Sequence, residues 1–133
     1  MVSSKTNKKK NDVIKFSKML NDKNLSALRS GNISIRHNNG FLITPSGKKY
    51  SSLKVKDIVF VSLNGKYEKK YKPSSEWRFH QDIYVKKKDA QAIVHTHSTN
   101  ATALSVHKKP IPAFHYMVAL AGGNDIKLSL IHI

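Results

Sequence analysis

Two histidines separated by one residue, His95-Thr96-His97, follow the apolar run Ala92-Ile93-Val94. On a strand, the period of two places both imidazoles on one face, where they can reach a single Zn²⁺ ion. Glu76 stands upstream in Pro73-Ser74-Ser75-Glu76. A carboxylate within reach of a bound cation is suited to abstracting a proton next to a carbonyl, so the spacing points to a metal-dependent enzyme. A His-x-His pair alone also fits two half-exposed strand residues, and a catalytic zinc ordinarily takes three protein ligands. The pair gains weight from its place at the end of an apolar run, before Ser98, Thr99 and Asn100, which can open a helix through Leu104.

Pro73-Ser74-Ser75-Glu76 supports two readings as well. Ser75 can cap a helix over residues 75–86, with Glu76 near the positive end of its dipole. The same helix start can hold a phosphate through its hydroxyls and free backbone N–H groups. Two further turns strengthen the second reading: Ser30-Gly31-Asn32, and Thr44-Pro45-Ser46-Gly47. Glycine lets backbone N–H groups approach an anion, and three such turns could converge on one phosphate.

The elements that must position these residues are legible in outline. Residues 11–20 place Val13, Phe16 and Leu20 on one helical face, flanked by Ile14 and Met19. Ile33-Ser34-Ile35-Arg36 and Phe41-Leu42-Ile43-Thr44 flank Asn39-Gly40, the mark of a hairpin turn, and residues 57–63 run into a second such signal at Asn64-Gly65. Helix 75–86 carries Trp77, His80 and Tyr84 on one side, where His80 reads as a core or capping residue. Ala92-Ile93-Val94 reads as a buried strand. After the next helix, Pro110 and Pro112 punctuate a return toward Phe114–Leu120.

Taken in order, these segments resemble the class II aldolase/adducin family, and within it the fuculose-phosphate type. The resemblance rests on Ser30–Arg36, Leu42–Gly47, the block from Pro73 through Glu76-Trp77-Arg78-Phe79-His80, His95-Thr96-His97, Ile111–Met117 and Ala121-Gly122-Gly123-Asn124. It implies an α/β fold with a mostly antiparallel central sheet and helices on both faces, in three layers, incomplete at the C-terminus. It also implies a zinc-dependent lyase that splits a ketose 1-phosphate into dihydroxyacetone phosphate and an aldehyde. In that scheme Glu76 is the general acid/base and His95 and His97 are two of three zinc-binding histidines. Gly31, Asn32, Ser46, Gly47, Ser74 and Ser75 bind the phosphate. Tyr116 donates a proton to the aldehyde oxygen across a subunit boundary, in a homotetramer. Relatives that epimerise pentulose 5-phosphates usually have Asp at the Glu76 position, and dehydratases share the scaffold; both remain alternatives.

The family's third zinc-binding histidine belongs to a later segment, and neither His107, His115 nor His132 matches its context. The expected division is therefore a basic, disordered start over 1–10, the N-terminal part of the family domain over 11–127, and a non-native tail over 128–133. Leu128-Ser129-Leu130-Ile131-His132-Ile133 reads as a translated transposon-end adaptor of the kind used in preparing sequencing libraries. These residues as they stand are expected to be inactive for want of the third ligand.

A net charge of +16 over 133 residues is the strongest argument for polyanion binding. Against a specific nucleic-acid partner, Arg29, Arg36 and Arg78 are the only arginines, so bidentate reading of bases is poorly supplied. The lysines read as solvated surface, several of them in the polar start. The absence of cysteine excludes disulfides and thiolate ligands. No apolar run is long enough to span a bilayer and the start lacks an apolar core, so the cytoplasm is the expected location, with a sugar phosphate as the partner.

Overall fold

In a computed structural model of the protein, the described residues are 4–26, 30–121 and 123–128. They fall into two compact units, Met1–Thr96 and His97–Ile133. In the first, the chain forms α1 (Ser4–Asp22), β1 (Asn32–His37), β2 (Gly40–Ile43), β3 (Val59–Ser62), α2 (Trp77–Lys86) and β4 (Ala92–His95). The strands make one sheet in the order β3-β2-β1-β4, antiparallel at every junction.

The pleat sorts β1 and β2 into two faces. Ile35 pairs with Leu42 on one side, where Leu42 joins Val13, Ile14, Tyr50, Leu53 and Ile58 in a core under α1. Ser34 pairs with Ile43 on the other, where Phe41, Ile43, Val59 and Val61 pack against Tyr84 of α2. Helices thus cover both faces of an antiparallel sheet, the three-layer α/β arrangement expected from the sequence. Short 3-10 segments at Tyr50–Ser52 and Val55–Asp57 bring the chain back across the α1 face. The second is fixed by Asp57, whose carboxylate accepts from the Lys54 backbone N–H (2.9 Å) and from Lys48 Nζ (2.5 Å). That ammonium holds the Asp57 carboxyl below its usual range.

Several expectations are corrected. Helix α1 starts at Ser4, not near Asn11, so residues 4–10 are ordered helix rather than a disordered start. Tertiary contacts explain this: Lys9 Nζ donates to Arg36 O (2.6 Å) and Thr6 Oγ1 lies 3.1 Å from His37 Nε2, so the extra turns rest on the hairpin. The buried stripe of α1 is Val13, Ile14, Ser17 and Leu20, leaving Phe16 and Met19 exposed. The Asn64-Gly65 signal gives a turn, with Gly65 at φ +79° and its N–H bonded to Ser62 O, but residues 66–68 form no returning strand and β3 is a sheet edge. At the opposite edge, Ala92 and Val94 are exposed, so this run is not a buried strand; only Ile93 packs on the α2 side.

The second unit contains α3 (Thr99–Val106), with Ser98 at its N-cap position but without the expected side-chain cap bond, the two-residue strands β5 (Ile111–Pro112) and β6 (Asp125–Ile126), and a 3-10 segment at Tyr116–Ala121. Gly122 and residues 129–133, which include nearly all of the expected tail, lie outside the described residues.

Candidate functional site

Glu76 occupies the N-cap of α2 and is buried. Its neighbour Ser75, expected to cap, is exposed and makes no side-chain cap bond; instead Ser74 Oγ accepts from the Glu76 N–H (3.4 Å). With the Glu76 backbone held there, its carboxylate points at the end of β4. Glu76 Oε2 lies 3.5 Å from His95 Nε2, and the His95 ring meets Phe79 edge-on at 5.2 Å. Glu76, His95 and His97 each offer one ligand atom, all within 4.8 Å of one another. Two imidazole nitrogens and one carboxylate oxygen are a donor set that a Zn²⁺ ion accepts, with a fourth position left for substrate or water. The residues present therefore fit a metal, and the third donor they bring is Glu76 rather than a histidine.

The Gly31 turn and Ser74 adjoin this point. Gly31, at φ +79°, precedes Asn32, and a Cβ there would press on the His95 carbonyl oxygen and on Ser26 Oγ. Both demands, backbone conformation and close approach, select glycine. Tyr50 donates to Gly31 O (2.5 Å), and burial pushes its phenol up to about 12, with the Glu76 charge adding to the effect against a lowering hydrogen bond from Thr44. The Asn32 amide is buried and donates through Nδ2 to Glu76 Oε2, while its Oδ1 faces His80 Nε2.

Turn 44–47 and segment 73–75 are stitched together by the Pro45–Pro73 bridge, by Ser46 N–H to Lys72 O (2.9 Å) and by Ser74 N–H to Thr44 O (2.9 Å). Those two backbone donors, expected to be available to a phosphate, are committed to the protein. Hydroxyls are what these serines can offer an anion. Gly47 sits at φ +74° with open space where a Cβ would be, so its conformation, not crowding, selects glycine. Tyr116, in the second unit, is 75% exposed, its ring tilted against that of His115 with centroids 4.3 Å apart.

Of the residues singled out from the sequence, the structure groups Glu76 with His95 and His97 and sets Gly31 against the His95 carbonyl. Sequence reasoning missed Tyr50 and the tie between Asn32 and Glu76. The signal for the latter was the alternation Asn32-x-Ser34-x-Arg36, three polar residues on one face of a strand whose other face is Ile33 and Ile35.

The sequence profile of the Class II Aldolase and Adducin N-terminal domain matches residues 11–130. The chain belongs to this family. It is 52% identical over 99 residues to a Rhodospirillum rubrum protein named 5-methylthioribulose-1-phosphate/5-deoxyribulose-1-phosphate aldolase, covering 74% of this chain and 45% of that one. It is 50% identical over 97 residues to an Escherichia coli L-fuculose phosphate aldolase, covering 73% and 45%. Among solved structures, an L-fuculose 1-phosphate aldolase superposes with a TM-score of 0.85 at 38% identity, over 96% of this chain and 59% of that one. The chain thus spans about half the length of the curated relatives it matches. No described helix is long and apolar enough to cross a membrane.

Proposed function

We propose that the protein to which this chain belongs is a metal-dependent aldolase that cleaves a ketose 1-phosphate into dihydroxyacetone phosphate and an aldehyde. The observation that supports this most directly is the grouping of Glu76 with His95 and His97 within 4.8 Å. In this reading His95 and His97 hold zinc, which when bound polarises the substrate carbonyl and stabilises the negative charge developing on its oxygen. Glu76 moves the proton at the adjacent carbon, and its place at the start of α2 brings it under the favourable end of the helix dipole as a carboxylate. Gly31, Asn32, Ser46, Gly47, Ser74 and Ser75 face the phosphate; Tyr116 donates to the aldehyde oxygen from a neighbouring subunit of a homotetramer in the cytoplasm. Metal coordination withdraws electron density from a carboxylate and lowers its basicity. Within these residues Glu76 is asked to be both ligand and base, so weak metal binding and little turnover are expected of them alone.

The printed names of the relatives supply two ketose 1-phosphates to compare, L-fuculose 1-phosphate and 5-methylthioribulose 1-phosphate. The test measures zinc content and release of dihydroxyacetone phosphate from each, on this chain and on a protein continuing it to the length of its relatives. Cleavage by the longer protein, lost on Glu76→Gln with the fold intact, is the expected result. Cleavage that survives Glu76→Gln would remove Glu76 from the role of base.

A further inference from the structure

Strand β1 and helix α2 present matched polar repeats to each other. Every second residue of a strand recurs at about 6.6 Å, and every fourth residue of a helix at about 6 Å. Asn32, Ser34 and Arg36 on β1 can therefore stay in step with Glu76, His80 and Tyr84 across the sheet–helix interface. The contacts follow that ladder. Asn32 meets Glu76 and His80, Ser34 Oγ lies 2.7 Å from His80 Nδ1 and 2.9 Å from the Tyr84 hydroxyl, and the Arg36 guanidinium sits 4.6 Å from the centre of the Tyr84 ring. Ser34, His80 and Tyr84 are fully buried and Asn32 nearly so.

We infer that these residues form a one-directional hydrogen-bond relay that orients the Glu76 carboxylate, with His80 held as the Nε2–H tautomer and Asn32, Ser34, His80 and Tyr84 acting as positioning residues.

Direction follows from which atoms can donate. Asn32 Oδ1 can only accept, so His80 Nε2 must carry its proton. A neutral ring protonated at Nε2 has an acceptor at Nδ1, so the Ser34 hydroxyl donates there and accepts from Tyr84. Asn32 then passes its Nδ2–H to Glu76 Oε2, and one hydrogen of that amide remains for substrate. Each donor is polarised by the next, and the chain ends on a carboxylate, the acceptor best able to draw on it. Burial keeps the ring neutral, lowering His80 to about 3, with the nearby His95 adding in the same sense. At the far end Arg36 anchors the ladder through the Ala90, Tyr84 and Lys87 carbonyls at 2.7–2.9 Å. The placement of bonds is independent of any reaction; its value for catalysis rests on the proposed role of Glu76.

The test uses this chain labelled with ¹⁵N in histidine and asparagine side chains, without substrate. Long-range nitrogen–proton correlation should show His80 with a protonated Nε2 and an unprotonated Nδ1. Asn32→Leu, with the backbone amide spectrum confirming the fold, removes the acceptor and should shift His80 to a mixture of tautomers. Glu76→Ala should move one Asn32 amide proton upfield while leaving the other. An Nδ1–H ring in the unaltered chain, a His80 signature unchanged by Asn32→Leu, or an Asn32 amide indifferent to Glu76→Ala would each overturn the relay. None of these readouts involves cleavage, so such a failure leaves the aldolase reading standing, and a failure to cleave sugar phosphates leaves the relay standing.

Discussion

Tyr50 ties the Gly31 turn to the α1 face of the sheet, its buried phenol donating a 2.5 Å hydrogen bond to Gly31 O. Tyr50→Phe leaves Gly31 O without that donor, and a loss of about 1–3 kcal/mol is expected, read as a lower urea midpoint with unchanged slope. An unchanged midpoint would show that the carbonyl finds another partner. His80 sets a pH dependence of definite sign. Its folded value of about 3 lies below the ordinary 6.5, so above pH 6.5 both states are neutral and its contribution is complete. Below 6.5 the unfolded chain binds a proton that the folded chain refuses, and stability falls toward pH 3 by at most about 1.4 kcal/mol per unit. His37, lowered by burial and by Lys9, Lys10 and Lys5, acts in the same direction. Urea titrations at pH 7 and pH 5 should show the drop, and it should shrink in His80→Gln. At this scale the sequence announces residue types well: His95 and His97 stand out by their spacing at the end of an apolar run, and Glu76 by its place at a helix start. Partnerships between residues remote in the chain are harder to read: the Asn32-x-Ser34-x-Arg36 alternation marks a polar face, but it does not name Glu76 as the partner of the Asn32 amide.

Between β2 and β3, Gly40 answers to a neighbour rather than to its own turn. The Asn39-Gly40 pair marks the hairpin correctly, but the residue with positive φ is Asn38 (49°). Gly40 pairs with His37 and Ser62, and a Cβ there would run into Val61 O and the Phe60 ring. Gly40→Ala should therefore destabilise by about 1–3 kcal/mol, as overpacking does, measured by thermal unfolding; a neutral result would mean that β3 can move away without loss. Arg36 makes three bonds to carbonyls around the end of α2, a fork that lysine cannot reproduce. Arg36→Lys is expected to lower the unfolding midpoint by the equivalent of about 1–3 kcal/mol. The hairpin and α2 were readable because their periods are local properties. The first turns of α1 were not, being lysine-rich and held by contacts to β1, nor was the exposure of β4, which depends on what lies beside a strand and not on its own apolar run.

Over the whole molecule, a net charge of +16 acts as self-repulsion that opposes the compact state. Raising ionic strength from about 0.01 M to 0.15 M shortens the screening length from roughly 30 Å to roughly 8 Å, so the melting temperature should rise across that interval; a fall would indicate that attractive pairs dominate. The family was legible from the order of several weak motifs, and its profile matches residues 11–130. The strand order also fixes a sequence of events. The β1–β2 pairing closes a two-residue turn, whereas β1 meets β4 only after the intervening chain has folded back, and it is that second pairing, Asn32 opposite His95, that brings His95 to Glu76. Closing the longer loop carries the larger entropic cost, so during refolding the hairpin should gain protection from hydrogen exchange before the ligand set is complete. Metal capture by a refolding chain would then be a clock for the last step of assembly rather than a seed for the first.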